Sequence, residues 1–173
     1  MTPEQLVATV VPVALAYLPE AMRERPAVAQ LVGIALQESG LRLRRQIGSY
    51  RRDRTPVYGP ARGWWQFERD GGTAAVLEHR ASRDHAGRVC DERGLVGATL
   101  REVHLALEHD DVLACVFARL LLWTDPRALP QSAEDHALGW AIYLATWRPG
   151  KPKTLTWPSH VATGWRVSEG WPA

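Results

Sequence analysis

The sequence predicts a mainly α-helical protein that folds as a single domain over residues 1–173, with a central buried helix and a small loop or β region. Three observations support this fold class. Apolar residues recur at helical spacing over most of the chain, residues 111–123 are apolar nearly all round, and only residues 41–72 lose the helical period. With 46% hydrophobic residues, a chain of this length can bury one sizeable core, which argues against a disordered or fibrous protein.

The first half of the chain is predicted to begin with two helices. The first covers residues 4–18 and should be kinked or broken at Pro12, because proline lacks the N–H that a helix interior uses. The second begins near Pro26, which is favourable in a first helical turn, and ends at Gly40. Within this second helix, apolar residues repeat at helical spacing: Val28, Leu31, Val32, Ala35 and Leu36. Residues 41–72 are rich in Arg, Gly, Pro and aromatic residues, which predicts loops or a small hairpin.

The second half of the chain is predicted to be helical up to its tail. Helices resume at about residues 73–92, and Thr99 with Glu102 has the capping-box spacing that opens a helix through about Leu107. Residues 111–123, DVLACVFARLLLW, should form the central helix, with neighbours on every side.

The last predicted helix runs from Ser132 to Trp147. The stretch TWRPGKP that closes it predicts a helix end followed by an extended turn between prolines. The remaining tail is rich in Pro and Trp and is predicted to wrap the surface.

Composition and spacing argue against several kinds of partner. A net charge of +2 does not require a polyanion, and no nucleic-acid-binding motif accompanies the six arginines around Tyr50 in residues 42–54. We therefore expect no nucleic-acid partner.

Cys90 and Cys115 have neither metal-ligand spacing nor a disulfide framework, and the histidines are scattered. We expect buried thiols, no metal and no cofactor.

The N-terminal apolar stretch is not typical of an export signal or a membrane span. It lacks a basic leader, Pro12 interrupts it, and it is shorter than the ~20 residues that a spanning helix needs. We therefore expect no membrane insertion and a protein that is first kept in the cytoplasm.

Glu38 is an unusual residue for its position in the second helix. It follows Ile34 by four residues and Leu31 by seven, so it projects from the apolar face. Partial burial disfavours the charged form of a carboxyl group and raises its pKa, which is what a general acid needs near neutral pH. The alternative is that Glu38 caps the helix end or pairs with one of the following arginines.

Two stretches, ALQESGL (35–41) and YGPARGWWQFE (58–68), together resemble the lysozyme-like superfamily, and within it the lytic transglycosylase and goose-type lysozyme branch. That branch has Glu-Ser at a helix end, then a Gly-x-x-Gly-x-x-Gln-like segment. Glu38-Ser39 fits the first element, and Gly59, Gly63 and Gln66 fit the second, with the two glycines one residue further apart. The chain also resembles phage-encoded lysozyme-like proteins with GPARGxWQFE and a later W-R-P-G-K-P, here Trp147 to Pro152.

The resemblance implies a lysozyme-like fold in which Glu38 donates a proton and the following residues contact the substrate: Ser39, Gly63, Trp64, Trp65, Gln66 and Tyr143. Trp64 and Trp65 offer flat surfaces for sugar rings, although we expect at least one of them in the core. Gln66 could bind the sugar or orient Glu38. Tyr143 stands where the family often has Tyr-Asn-x-Gly, but this chain has Tyr-Leu-Ala-Thr, so a structural tyrosine stays an alternative.

The second carboxylate distinguishes two mechanisms. A hydrolase uses two carboxyl groups, and Glu68 is the first candidate for the second one, followed by Asp53 and Asp70. A lytic transglycosylase would need Glu38 alone, because the 6-hydroxyl of the sugar attacks. We favour the hydrolase with Glu68.

The sequence therefore predicts a phage-encoded, lysozyme-type muramidase that cleaves the β-1,4 bond of peptidoglycan glycan strands. We expect a monomer or a virion-associated protein, held in the host cytoplasm until release or carried in the particle, and acting on the cell wall. The basic residues of TWRPGKP would rim its cleft, and the arginines of residues 42–54 would meet an anionic wall or be solvated. The alternatives are a lytic transglycosylase and a non-catalytic lysozyme-like virion or wall-binding protein.

Overall fold

The computed structural model of the chain describes residues 1–172 and confirms the predicted mainly helical fold class. Within these residues, an antiparallel two-stranded sheet pairs β1 (Arg45–Tyr50) with β2 (Pro56–Arg62). None of the helices described here combines the length and the apolar character needed to cross a membrane. The α-helices are α1 (Pro3–Gln5), α2 (Val11–Ala16), α3 (Arg25–Ser39), α4 (Ala74–Glu78), α5 (Arg83–Glu92), α6 (Leu100–Ala106), α7 (Asp111–Trp123), α8 (His136–Trp147) and α9 (Trp157–Val167).

The N-terminal helical stretch accommodates Pro12 without a break. A π-helical turn, Leu6–Val10, joins α1 to α2, and the N–H of Val11 donates to the carbonyl of Leu6. The wider turn changes the hydrogen-bond register just before Pro12, which has no N–H to donate. The predicted kink or break is therefore a π turn, and both Leu6 at its start and Leu15 in α2 stay in the core.

The helix that carries Glu38 forms for the predicted reasons. Pro26 lies in the first turn of α3, and Gly40 ends the helix with a left-handed φ of +60°. Leu31 and Ile34 are fully buried. Glu38 follows one turn after Ile34 and is partly exposed, so it stands where the buried face of α3 reaches the edge of the core.

The region of residues 41–72 contains the predicted hairpin. β1 and β2 are antiparallel, with Arg45 opposite Arg62. After β2 the chain folds back, because the backbones of Arg62 and Phe67 exchange two hydrogen bonds of 2.9 and 2.8 Å. This fold-back turns residues 63–66 towards α3.

The helical region predicted at about residues 73–92 contains two α-helices, α4 and α5. His79 takes an extended backbone after α4, and the buried hydroxyl of Ser82 donates to the carbonyl of Val76 before α5 begins. The capping box of Thr99 and Glu102 is present at the start of α6, as predicted.

α7 is the central helix that the sequence predicts. All residues from Leu113 to Leu122 are buried, and the helix contacts α2, α3, α4, α5 and α8. Arg119 is buried with them because its Nε donates to the carbonyl of Met22 at 2.7 Å and its Nη2 lies 3.6 Å from the Glu24 carboxylate. Burial lowers the pKa of Arg119 to about 10.

The C-terminal part of the chain differs most from the prediction. α8 begins at His136 rather than at Ser132, and the tail forms α9, which packs along α3, instead of only wrapping the surface. Helical spacing places Trp157, Val161 and Gly164 on one buried face of α9. A Cβ at Gly164 would lie 2.2 Å from the carbonyl oxygen of Ala29 on α3, so glycine permits this close approach. The prediction of a surface tail was wrong because it overlooked this periodicity.

Candidate active site

A cleft of about 860 Å³ opens at the C-terminal end of α3. Its walls come from α3, the hairpin, the segment after β2, α4, the C-terminal end of α8 and the residues that follow α8. The cleft brings together four of the predicted site residues: Glu38, Gln66, Glu68 and Tyr143. The other four do not line it: Ser39, Gly63, Trp64 and Trp65.

Glu38 has the raised pKa that its position on the apolar face predicts. Burial raises the pKa of its carboxyl group to about 7, and the negative charge of Glu68 acts in the same direction. A hydrogen bond from Tyr143 and the positive charge of Lys153 oppose the rise. Near neutral pH the group is thus divided between its acid and its carboxylate forms, which suits a proton donor that must be recharged.

Tyr143 is the hydrogen-bond partner of Glu38. Its hydroxyl donates to Glu38 Oε1 at 2.6 Å, so the partner is a tyrosine of α8 rather than one of the arginines that follow α3. The residue is 2% exposed, and its ring is stacked on Trp157 with centroids 5.2 Å apart and planes at 18°. Burial and the nearby Glu38 charge raise the pKa of Tyr143, so the hydroxyl stays protonated and donates. The ring packing fixes the position of the donor.

Gln66 lines the cleft but does not hold Glu38. Its Nε2 donates to the carbonyl of Gly63 at 2.7 Å, which stabilises a backbone with φ +49° at Gln66. The alternative in which Gln66 orients Glu38 is therefore not the arrangement observed, because Tyr143 makes that contact.

Glu68 is the second carboxylate of the cleft. It is exposed, its own backbone is extended, and its charge acts on Glu38. Asp70 also lines the cleft, but both of its oxygens accept hydrogen bonds from Arg69, which lowers the pKa of Asp70. Asp53 lies in the hairpin turn, away from the cleft, and caps the N–H of Thr55. Of the three candidates for the second carboxyl group, Glu68 is thus the best placed.

Trp64 and Trp65 are core residues. They are 3% and 0% exposed, and Trp65 Nε1 donates to the carbonyl of Leu31 at 2.9 Å. The Arg44 guanidinium lies 4.2 Å from the centre of the Trp64 ring. Their burial contradicts the predicted stacking on sugar rings, because the fold-back after β2 turns both indoles into the protein.

Ser39 and Gly63 join the two motifs instead of contacting the cleft. Ser39 Oγ donates to the carbonyl of Trp64 at 2.7 Å, which attaches the end of α3 to the fold-back. Gly63 is buried with φ +72°, and a Cβ there would lie 2.4 Å from the carbonyl oxygen of Leu107. The close approach that requires glycine is therefore made to the protein and not to a sugar. The prediction that Ser39 and Gly63 contact the substrate was therefore wrong, because neither residue lines the cleft.

The segment after α8 lines the cleft with Arg148 and Lys151, as predicted for TWRPGKP, and also with Lys153, which lies just beyond that stretch. Sequence reasoning did not find the residue that holds this segment. Gln37, next to Glu38, donates through Nε2 to the carbonyl of Lys153 at 2.9 Å. Thr156 Oγ1 donates to Gln37 Oε1 at 3.1 Å. The position of Gln37 beside Glu38 was the only signal that could have indicated it.

No family model, curated protein or solved structure matches the chain.

Among residues 1–172, no three His, Cys, Asp or Glu side chains come together in a group that could hold a metal ion. Cys90 and Cys115 are buried free thiols whose pKa values are raised by burial, Cys90 to about 11. The cleft itself presents carboxyl, hydroxyl, amide and ammonium groups.

Proposed function

We propose that this chain is a phage-encoded, lysozyme-type muramidase that cleaves the β-1,4 bond of bacterial peptidoglycan. One observation carries the proposal: Glu38 is a partly buried carboxyl group with a pKa of about 7 in an open cleft that also holds Glu68. The paired motifs around Glu38 and Gln66, which resemble the lytic transglycosylase and goose-type lysozyme branch, supply the substrate class.

In this mechanism Glu38 delivers its proton to the glycosidic oxygen while the bond to the anomeric carbon breaks. Glu38 becomes a carboxylate, and the Tyr143 hydroxyl and the Lys153 charge, which both favour its ionised form, stabilise it. Positive charge develops on the sugar ring, and the exposed Glu68 carboxylate stabilises it. Water then adds to the anomeric carbon and gives a proton to Glu68, which leaves a reducing sugar end.

The second candidate function is that of a lytic transglycosylase. The Tyr143–Glu38 hydrogen bond favours it, because the branch that the motifs resemble often has a tyrosine near the catalytic glutamate. Here Glu38 first protonates the glycosidic oxygen and then, as a carboxylate, removes a proton from the 6-hydroxyl of the muramic sugar. That oxygen bonds to the anomeric carbon, so the product is a 1,6-anhydro sugar and no water is consumed.

Digestion of purified sacculi, followed by mass spectrometry of the soluble products, tests the proposal. Reducing muramic ends support the muramidase, and anhydro ends support the transglycosylase. The Glu38→Gln protein serves as the matched control and should release neither. If the parent chain also releases nothing, while binding the sacculi, the non-catalytic virion or wall-binding alternative replaces both enzymes.

Access to the wall is part of the proposal. The protein would be held in the host cytoplasm until a membrane lesion releases it, or be carried in the virion. Detection of the chain in purified particles would support the second route, and its presence only in lysates would support the first.

A further inference from the structure

A basic segment, residues 148–153, follows α8 along one edge of the cleft; we call it the basic strap. It contains both lysines of the chain, Lys151 and Lys153, together with Arg148. All three line the cleft that holds Glu38. Elsewhere the chain uses arginine as its only permanently charged cation, so this segment is chemically distinct.

The basic strap is held next to the acid by a defined set of hydrogen bonds. The carbonyl of Lys153 accepts from Gln37 Nε2 at 2.9 Å, one residue before Glu38. Gln37 Oε1 in turn accepts from Thr156 Oγ1 at 3.1 Å and from His160 Nδ1 at 3.0 Å. The backbone of the strap is therefore attached to α3 and to α9, and Lys153 is kept near Glu38.

The charge of the strap is not neutralised within the part of the chain that the structure describes. In residues 1–172 the ion pairs involve other cations, and no carboxylate lies within 4.0 Å of a nitrogen of Arg148, Lys151 or Lys153. By contrast, Arg44 beside the hairpin is paired with Asp111 at 2.6 Å. Unpaired charge of one sign in a cleft attracts a ligand of the opposite sign.

We propose that the basic strap binds a carboxylate carried by the sugar whose glycosidic bond Glu38 protonates. This inference rests on the proposed function. Because the lysines line the same cleft as Glu38, the anion best placed to meet them is one attached to the sugar chain bound there. In peptidoglycan that group is the lactyl carboxylate of a muramic sugar or a carboxylate of its attached peptide. A chitin oligosaccharide has neither.

Equilibrium binding to the Glu38→Gln protein tests this, because it avoids turnover and any effect of Lys153 on the ionisation of Glu38. Three ligands are titrated by calorimetry: neutral chitohexaose, glycan strands freed of peptides by an amidase, and strands that keep their peptides. We expect at least one carboxylate-bearing ligand to bind on the order of tenfold more tightly than chitohexaose, as two exposed charge pairs allow. This preference should weaken between about 0.05 M and about 0.5 M salt.

The matched variants separate the strap from general charge effects. Lys151→Met with Lys153→Met, in the Glu38→Gln background, should reduce the anionic-to-neutral affinity ratio to near one. Arg83→Met with Arg101→Met removes the same charge from exposed positions of α5 and α6, outside the cleft, and should leave the ratio unchanged. Melting temperatures of both double variants check that the fold is retained.

Each outcome decides between the alternatives. A preference for peptide-free strands assigns the lactyl carboxylate, and a preference only for peptide-bearing strands assigns the peptide. Equal affinity for all three ligands, or a preference that survives loss of both lysines, overturns the inference. If sacculi are cleaved but the affinities are equal, the strap inference alone fails. If no glycan binds and no products form, the proposed function fails with it.

Discussion

The cleft has two walls that contain the same residue type in different surroundings. Glu38 and Tyr143 form a helical wall, where α3 and α8 reach the edge of the core. Residues 66–70, with Glu68, form a loop wall that is mostly exposed. On the helical wall, burial raises the pKa of the carboxyl group to about 7 and a tyrosine donates to it. Surroundings, and not residue type, therefore determine which glutamate can act as the acid.

The two walls also differ in how firmly they hold their functional groups. Tyr143 is stacked on Trp157 and lies 5.2 Å, between ring centroids, from Trp140, so its hydroxyl has a defined position. Glu68 is an exposed side chain on extended backbone, just before a second π-helical turn, Arg69–Thr73. A carboxyl group held by a fixed hydrogen-bond donor suits proton transfer to a single oxygen, whereas an exposed carboxylate suits charge stabilisation or contact with water.

Loss of the acid on the helical wall should have the largest effect. Glu38→Gln keeps size and hydrogen bonding but cannot supply a proton, so wall-lytic activity should fall roughly 10²–10⁴-fold. Clearing of a sacculus suspension measures the rate. Glu92→Gln, on the exposed face of α5, is the matched control and should not change the rate. Substantial residual activity of the Glu38 variant, with an unchanged melting temperature, would remove Glu38 from the acid role.

Loss of the carboxylate on the loop wall should have a smaller effect that depends on the mechanism. In a muramidase Glu68→Gln should reduce kcat/KM on the order of a hundredfold, as for a directly acting group. In a transglycosylase the loss should be mild. The rate and the chemistry of the product ends are measured on the same samples. A mild loss together with anhydro ends would refute the muramidase.

Loss of the tyrosine hydroxyl on the helical wall should shift the pH dependence of the activity. The acid must be protonated, so activity of the parent protein should fall as pH rises through about 7. The Tyr143 hydrogen bond lowers the pKa of Glu38, so Tyr143→Phe should move this fall to higher pH and reduce kcat about tenfold or less. A pH–rate profile measures both. Movement of the fall to lower pH would contradict the role given to Tyr143.

The smallest effect concerns stability. The pKa of Glu38 is raised from 4.5 when unfolded to about 7 when folded, so the folded protein retains a proton that the unfolded chain loses. The stabilisation that Glu38 gives to the folded state is therefore fully present below pH 4.5 and is lost as the pH rises towards 7. Glu38→Gln avoids the loss and should be more stable than the parent by roughly 1–3 kcal/mol at about pH 8, and nearly equal at about pH 4. Urea denaturation at both pH values tests this, and a less stable variant at the higher pH would contradict it.

Much of the helical wall could be predicted from the sequence. Pro26 and Gly40 act through backbone rules that need no distant partner, and the apolar stripe of α3 has a local period. The same period placed Glu38 at the edge of the core and predicted its raised pKa. The loop wall was less predictable, because residues 63–66 have no period, and their direction depends on the fold-back between Arg62 and Phe67.

By itself, the sequence determined the mainly helical class, the bounds of α3 and α7, the capping box of α6 and the partly buried carboxyl group, because each follows from residues near in the chain. Tertiary structure decided the rest. An indole is equally suited to a sugar or to a core, and only packing against α3 assigned Trp65 to the core. Tyr143 meets Glu38 across 105 residues, and Gly63 meets Leu107 across the fold. Such contacts depend on which surfaces the folded chain brings together, and no local pattern encodes that.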